Sequence, residues 1–226
     1  MTEIPRSFIF RQVAFAGKAA CVSRLARQRI STNFIGSRRG LRLWCLSMRD
    51  QAFEVLLSAE SIKARIKDLS REIESHYQAC LGSNECLLVV GVLKGSFIFL
   101  ADLIREIKLP VEVDFIEVSS YSGMESTGQL KFIRDLRASA KGRHILLVED
   151  IIDTGLTMSK LQEHLKGMEV KDLRLCSLLF KPSGNQIAVK IDHLGFKIDD
   201  KFVIGYGLDV DERFRQLKDI VIYKEK

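Results

Sequence analysis

Alternating buried and amphipathic segments constrain the fold of this chain more than any other feature of its sequence. Residues 58–77 place apolar side chains at helical spacing, with Ser58 available as the N-cap. The apolar run 86–93 follows and is typical of a buried strand, and residues 96–108 predict a second helix that ends before Pro110. Strands that alternate with helices predict a parallel sheet covered on both faces, with ligands at the carboxyl ends of its strands.

The same alternation continues towards the C-terminus. Further strands are predicted at 111–118, 144–149 and 173–180, with a helix at 155–167. Residues 119–128 are predicted to be a polar loop rich in Gly and Ser, and the end of the chain is predicted to be strand-rich, at 188–196 and 201–210.

Composition limits the classes of function. A chain of 226 residues with 46% hydrophobic content can bury one good core, and no apolar run approaches the ~20 residues that span a bilayer. The cysteines show no C-x-x-C spacing, which favours a reducing compartment, and the four histidines form no H-E-x-x-H zinc motif. We therefore expect neither a membrane nor a zinc site.

The net charge of +6 is concentrated at the N-terminus. Residues 1–50 hold ten of the 35 Lys and Arg side chains but only two of the 29 acidic ones, a charge of +8. The remaining residues carry 25 basic and 27 acidic side chains, so the body of the chain is slightly acidic. Such a distribution argues against a nucleic-acid partner.

The basic segment has two interpretations. Between Glu3 and Asp50 it has no acidic residue and is rich in Arg and Ser, as organellar transit peptides are. Alternatively, translation begins at Met48 and the upstream residues come from a misassigned start. In both cases we expect residues 1–47 to be a disordered basic extension and residues 48–226 to form one domain. We expect a cytoplasmic protein, or an organellar one if the transit peptide is genuine.

The candidate site begins where the apolar run at 145–148 meets two carboxylates, Glu149 and Asp150. Asp153 and the loop 154–157 follow, at the start of a predicted helix. A strand, a small-residue loop and a helix N-terminus commonly bind phosphate, but neither a Walker A nor a Rossmann glycine motif is present. Carboxylates beside such a site suit a sugar phosphate, whose hydroxyls they can bind and whose charge a Mg²⁺ ion can balance. The bland alternative for the acidic pair is a solvated loop end.

These residues carry a resemblance to a known family. The stretch "LLVEDIIDTGLTM" (146–158) resembles the phosphoribosyl-diphosphate motif of the type I phosphoribosyltransferases. Four further stretches, at 91–103, 113–121, 177–184 and 200–217, are similar in order and spacing to the hypoxanthine-guanine phosphoribosyltransferases, and the similarity covers about residues 53–224.

The resemblance implies an α/β fold with a central parallel sheet flanked by helices and a small hood region. The implied activity is purine salvage, which converts hypoxanthine or guanine plus 5-phosphoribosyl 1-diphosphate to IMP or GMP plus diphosphate, in a homodimer or homotetramer. A phosphoribosyl-diphosphate-sensing regulator on the same fold is the alternative, but it would need a nucleic-acid-binding domain or a basic face.

The resemblance also implies roles for single residues on the purine side. Asp153 would be the general base that accepts the proton of purine N7, and it could also cap the following helix. Lys181 would donate to the 6-oxo group, Phe202 would stack on the base, and the backbone of Val203 would face its 2-position. Asp209 would bind beside the purine and hold a metal.

The remaining roles concern phosphoribosyl diphosphate and Mg²⁺. The stretch Leu93-Lys94-Gly95 resembles the family's diphosphate-binding loop, which contains a cis peptide, so Lys94 and Gly95 would bind diphosphate. Ser120 and Tyr121 would lie in a mobile loop that closes over the transition state, and Arg215 would reach the diphosphate. The 5-phosphate would be bound by the loop of Asp153, Thr154, Gly155, Leu156 and Thr157. Glu149 and Asp150 would bind the ribose, and with Asp209 they would hold the Mg²⁺ ion.

Overall fold

The apolar runs of the sequence form the middle of a six-stranded sheet. The computed structural model describes residues 53–120 and 130–224. Its strands are β2 (Leu87–Leu93), β3 (Val111–Ser120), β4 (Leu130–Arg134), β5 (His144–Ile152), β6 (Asp172–Phe180) and β7 (His193–Lys197). Their order in the sheet is β4-β3-β2-β5-β6-β7. Five of them run parallel and β4, which was not predicted, pairs antiparallel with β3 at one edge.

Helices cover both faces of this sheet, as predicted. Helices α1 (Ala59–Tyr77) and α2 (Phe97–Glu106) pack on one face, against side chains such as Val89, Leu146 and Cys176. Helix α3 (Leu156–Gly167) packs on the other face against the alternate positions of the same strands, including Val90 and Leu147. Strands buried on both faces explain why these segments are continuous apolar runs.

Helix α1 has the start and the buried face that its sequence predicts. The hydroxyl of Ser58 accepts a hydrogen bond from the Ser61 N–H at 3.2 Å, which satisfies one amide of the first turn. The predicted apolar positions (Ile62, Ile66, Leu69, Ile73 and Tyr77) are all buried.

A second, smaller sheet corresponds to the hood region. It has the order β1-β9-β8, with β1 (Glu54–Leu57), β8 (Val203–Ile204) and β9 (Ile220–Ile222) all antiparallel. The predicted strand at 201–210 is largely wrong, because the chain turns directly after Ile204. Gly205 and Gly207 have φ angles of +96° and +102°, which are left-handed conformations and incompatible with a continuing strand. The predicted strand at 188–196 begins only at His193.

Two expectations are limited by the described part of the chain. The basic extension 1–47 lies outside the described residues, as does Tyr121 in the predicted loop. No helix of residues 53–120 or 130–224 is long and apolar enough to cross a bilayer.

Candidate active site

The carboxyl ends of the parallel strands bring the predicted site residues to one edge of the sheet. Lys94 follows β2, the acidic pair lies near the end of β5, and Lys181 directly follows β6. The N–H of Lys181 donates to the carbonyl of Ile152 at 2.9 Å, which ties the ends of β5 and β6 together. Parallel α/β sheets bind ligands at this edge.

Glu149 and Asp150 lie inside β5, three and two positions before its last residue, and not in the loop after it. Strand alternation places their side chains on opposite faces of the sheet. Asp150 is buried, and its Oδ1 accepts a hydrogen bond from the Ile151 N–H at 2.9 Å. Glu149 is half-buried, and its Oε2 is buried without a hydrogen-bond partner among the described residues.

The acidic pair is held in a charged state only at a cost. Burial raises the pKa of Asp150 to about 6; the charge of Asp209 adds to that increase, while hydrogen bonds and the charge of Arg215 oppose it. Burial also raises the pKa of Glu149 well above its usual range, and the neighbouring Asp150 raises it further. A cation or hydrogen-bond donors from a ligand would stabilise both carboxylates. The pair is therefore suited to binding hydroxyls and a metal, and its burial differs from what a solvated loop end would show.

The phosphate loop (residues 153–157, the predicted 5-phosphate contact) turns sharply at Gly155, directly before helix α3. The φ angle of Gly155 is +80°, and a Cβ at this position would overlap the carbonyl oxygen of Ile187. Helix α3 begins at Leu156 with Gly155 as the N-cap, and no side chain caps it. The predicted N-cap role of Asp153 is therefore wrong, because the N-cap position is Gly155, two residues after Asp153. The N–H groups of the first turn, next to Thr154 and Thr157, remain suited to an anion.

Lys181 joins the phosphate loop to the hood. This lysine is buried, and its Nζ lies 3.7 Å from Asp153 Oδ2 and 3.3 Å from Asp200 Oδ1. A buried ammonium requires such partners. Of the two carboxylates, only Asp200 lies within hydrogen-bond distance, so N–H donors of the ammonium remain for a ligand. Asp200 was missed by the sequence interpretation, although it is the first residue of the matching stretch 200–217.

The hood also carries an exposed aromatic ring that is close in sequence to Asp200. Phe202 follows Asp200 by two positions, and 54% of its surface is exposed. One edge contact ties its ring to Tyr223, at a centroid distance of 5.7 Å. Val203 is buried and pairs with Ile222 in the small sheet, so its side chain is not available at the surface.

The loop after β2 meets the loop after β8. The peptide bond between Leu93 and Lys94 is cis, as the resemblance implies. A Cβ at Gly95 would overlap Asp150 Oδ2, and a Cβ at Gly207 would overlap the carbonyl oxygen of Gly95. Gly95 is therefore required where the loop after β2 packs against Asp150, and Gly207 is required where the loop after β8 packs against Gly95.

Arg215 lies at this junction. Its Nη1 donates to the Gly207 carbonyl at 2.7 Å, and its Nη2 lies 2.9 Å from Asp209 Oδ1. Nη2 also contacts Glu212 Oε2 at 3.0 Å, and Glu212 Oε1 contacts Lys94 Nζ at 2.9 Å. Glu212 is the second residue that the sequence interpretation missed, and its turn conformation could not be inferred from residue type.

Two predicted residues lie at and directly after the end of β3. Ser120 is the last residue of β3 and its backbone pairs with Leu130 of β4, so the two strands bring the ends of the intervening segment together. Tyr121 lies outside the described residues.

Comparisons with known proteins place this geometry in a family. The phosphoribosyl transferase domain matches residues 54–211. The hypoxanthine phosphoribosyltransferase of Salmonella typhimurium is 46% identical over 165 residues, which are 73% of this chain and 91% of that protein. The hypoxanthine-guanine phosphoribosyltransferase of Bacillus subtilis is 44% identical over 178 residues, 78% of this chain and 96% of the relative.

Solved structures agree with the sequence comparisons. A hypoxanthine-guanine phosphoribosyltransferase from Bacillus anthracis superimposes with a TM-score of 0.70 at 39% identity, over 76% of this chain and 98% of that chain. A variant of the Trypanosoma cruzi hypoxanthine phosphoribosyltransferase in complex with the product IMP has a TM-score of 0.73 at 37% identity, over 78% and 93%. With the carboxylate pair, the phosphate loop and the buried lysine at one sheet edge, these matches show that the chain belongs to the hypoxanthine-guanine phosphoribosyltransferases of the type I phosphoribosyltransferase fold.

Proposed function

We propose that this chain is a purine salvage enzyme that transfers the phosphoribosyl group of 5-phosphoribosyl 1-diphosphate to hypoxanthine or guanine. The products are IMP or GMP and diphosphate. The observation that carries this proposal is the buried ammonium of Lys181 between Asp153 and Asp200, next to the acidic pair of β5. The relatives named above are enzymes by name, which favours catalysis over the regulator alternative.

Lys181 selects the base. A free N–H donor of its ammonium suits the oxygen of a 6-oxopurine, whereas the 6-amino group of adenine would place donor against donor and leave that buried N–H without an acceptor. The exposed ring of Phe202 offers a surface for stacking, and the backbone of Val203 lies next to it in the chain. Hypoxanthine and guanine share the oxo group, so both suit this arrangement.

Asp153 accepts the proton that purine N7 loses as the N9 bond forms. It is half-exposed, and its Oδ2 lies 3.7 Å from the ammonium that orients the base. Its Oδ1 packs against Gly184, where a Cβ would overlap it, so the carboxylate is held in place on both sides. A positioned carboxylate near the proton it takes is the geometry required of a general base.

The ribose lies between the acidic pair and the phosphate loop. Glu149 and Asp150 accept hydrogen bonds from its hydroxyls, and the N–H groups and hydroxyls of residues 153–157 bind the 5-phosphate. Departure of diphosphate leaves positive charge on the sugar. The negative field of the two carboxylates stabilises that charge in the transition state.

Mg²⁺ fits the donor set of this site. Within residues 53–120 and 130–224, no three His, Cys, Asp or Glu side chains converge into an all-protein metal cage. Mg²⁺ commonly uses one or two carboxylates plus waters and substrate oxygens, which Glu149, Asp150 and Asp209 can supply. The buried, unpartnered Oε2 of Glu149 is suited to such an ion. When bound, Mg²⁺ acts as a Lewis acid that neutralises the leaving diphosphate.

The diphosphate itself is bound by cations and backbone. Lys94, Gly95 and Arg215 surround the place where the loop after β2 meets the hood. We propose that the segment beginning at Ser120 and Tyr121 closes over the bound substrates and excludes water.

A direct assay tests this function and separates it from the alternative. Purified protein is mixed with phosphoribosyl diphosphate, Mg²⁺ and each of hypoxanthine, guanine, xanthine and adenine, and nucleotide formation is followed by absorbance and chromatography. We expect IMP and GMP, no AMP, and complete loss on chelation of Mg²⁺. Binding of phosphoribosyl diphosphate without transfer to any base would instead support the sensing regulator.

Assembly and location are proposals that complete this description. We propose a homodimer or homotetramer, measurable by light scattering on a sizing column. We propose a cytoplasmic enzyme, or an organellar one if residues 1–47 form a transit peptide, and N-terminal sequencing of the native protein distinguishes the two.

A further inference from the structure

Glu212 joins two cations that come from distant parts of the chain. Its Oε1 lies 2.9 Å from Lys94 Nζ, and its Oε2 lies 3.0 Å from Arg215 Nη2. Each oxygen of the carboxylate thus contacts one cation. Lys94 and Glu212 are 118 positions apart in sequence, so only the fold brings them together.

A tight turn presents this carboxylate. Asp211 and Glu212 have φ angles of +51° and +61°, in a region that non-glycine residues seldom adopt. The N–H of Glu212 donates to Asp209 Oδ2 at 2.8 Å, which stabilises the turn. A backbone conformation of this kind persists only where surrounding contacts support it, and it is often found at functional sites.

The two cations are those that the proposed function assigns to diphosphate. A carboxylate with one oxygen on each cation occupies them as two oxygens of a diphosphate group would. We propose that Glu212 is a positioning residue that occupies the diphosphate-binding cations Lys94 and Arg215 in the substrate-free enzyme and is displaced by the diphosphate of the substrate. This inference rests on the proposed function and extends it to control of affinity at the same site.

Glu212 and Lys94 both remain charged at neutral pH, so the competition between Glu212 and diphosphate does not require a change of protonation. Hydrogen bonds from Lys94 and then Arg215 lower the pKa of Glu212, and the hydrogen bond to Glu212 raises the pKa of Lys94. The contact is solvent-exposed, with 62% of the Glu212 side chain and 55% of the Lys94 side chain accessible. Exposed ion pairs are weak, which allows a diphosphate to displace the carboxylate.

Arg215 keeps its place when Glu212 leaves. Its Nη1 still donates to the Gly207 carbonyl, and its Nη2 still contacts Asp209. The guanidinium is therefore oriented without Glu212. We expect removal of the Glu212 charge to free the cations rather than to disorder the site. Competition of this kind also speeds product release, because the carboxylate can return as diphosphate departs.

The test compares two glutamate variants of the full chain. Glu212→Gln removes the competing charge, whereas the control Glu112→Gln removes a similarly exposed charge that pairs with Arg143 at 2.7 Å, near the amino end of β3 and away from the site. Calorimetry with inorganic diphosphate and Mg²⁺ should show about threefold to tenfold tighter binding for Glu212→Gln, the range expected from losing one or two exposed ion pairs. Binding by the control should match wild type.

Further measurements separate this role from a structural brace. KM for phosphoribosyl diphosphate should fall by a similar factor in Glu212→Gln while kcat does not rise, and the difference should shrink as salt increases. Glu212→Asp, which keeps a carboxylate, should lie closer to wild type. Equal or weaker diphosphate binding by Glu212→Gln would overturn the inference, as would equal tightening in the control. Failure of wild type to bind diphosphate at all would instead overturn the proposed function.

Discussion

Asp150→Asn should make the ligand-free protein more stable at alkaline pH, although it alters a proposed ribose contact. The pKa of Asp150 is raised from 3.8 to about 6, chiefly by burial. The folded state therefore binds this proton more tightly than the unfolded state does. The stability contributed by the protonated form is complete below about pH 4 and is lost as the pH rises through about 6.

The size of the expected stability gain follows from the difference between the two pKa values of Asp150. The pKa of Asp150 differs by about two units between the unfolded and folded states, so ionisation of this group lowers the unfolding free energy by about 3 kcal/mol at pH 8. Asparagine has the same shape, carries no charge and can still accept the hydrogen bond that the Ile151 N–H donates at 2.9 Å. We expect the variant to gain about 2–3 kcal/mol at pH 8, or roughly 5–10 °C in Tm for a chain of this size, and almost nothing near pH 4.

Thermal and urea unfolding at the two pH values, with a chelator present, measure this effect. Asp68→Asn is the matched control, because Asp68 is an exposed aspartate of α1 that pairs with Arg71, and its Tm should change little at either pH. Saturating Mg²⁺ and phosphoribosyl diphosphate should narrow the difference, since bound ligands stabilise the charged form. Equal gains at both pH values, or a loss at pH 8, would refute burial of the charge as the cause.

Three further predictions address the chemistry and the extension. Asp153→Asn should keep the fold and substrate binding but lower kcat by ~10²–10⁴; wild-type turnover would remove Asp153 as the base. Lys181→Ala should raise KM for hypoxanthine and guanine far more than for phosphoribosyl diphosphate, because of the two substrates only the base is proposed to contact its ammonium. Equal losses for both substrates would contradict that role. A protein that starts at Met48 should keep kinetic parameters within about twofold of the full chain, and trypsin should cleave residues 1–47 before the body. Protease protection of that segment would show that it is structural.

Local sequence patterns predicted the elements that are long and strongly periodic. Helix α1 and its cap at Ser58 needed only helical spacing and one hydroxyl. The central strands were apparent because burial on both faces requires unbroken apolar runs. The short strands β1, β4 and β9 were not predicted, since a few residues at a sheet edge carry little periodicity and depend on their partners.

Residue type alone did not predict the structure at positions where the backbone adopts a left-handed conformation. The stretch 201–210 has the apolar content of a strand, but left-handed residues turn it after Ile204. Helix α3 starts after Gly155 and without a side-chain cap, so Asp153 is not engaged at its N-terminus. Both outcomes depend on close contacts, such as that of Gly155 with the Ile187 carbonyl, between segments that are far apart in sequence.

The sequence by itself determined the fold class, the family and most of the residues proposed to act, because these depend on periodicity and on short motifs. Only the tertiary structure decided how their charges are arranged. It buries Asp150 against Gly95, places Lys181 between two carboxylates, and sets Glu212 across cations that follow different strands. The physical reason is that burial and pairing depend on the order of strands in the sheet. That order is set by packing of the whole core rather than by any local stretch of residues.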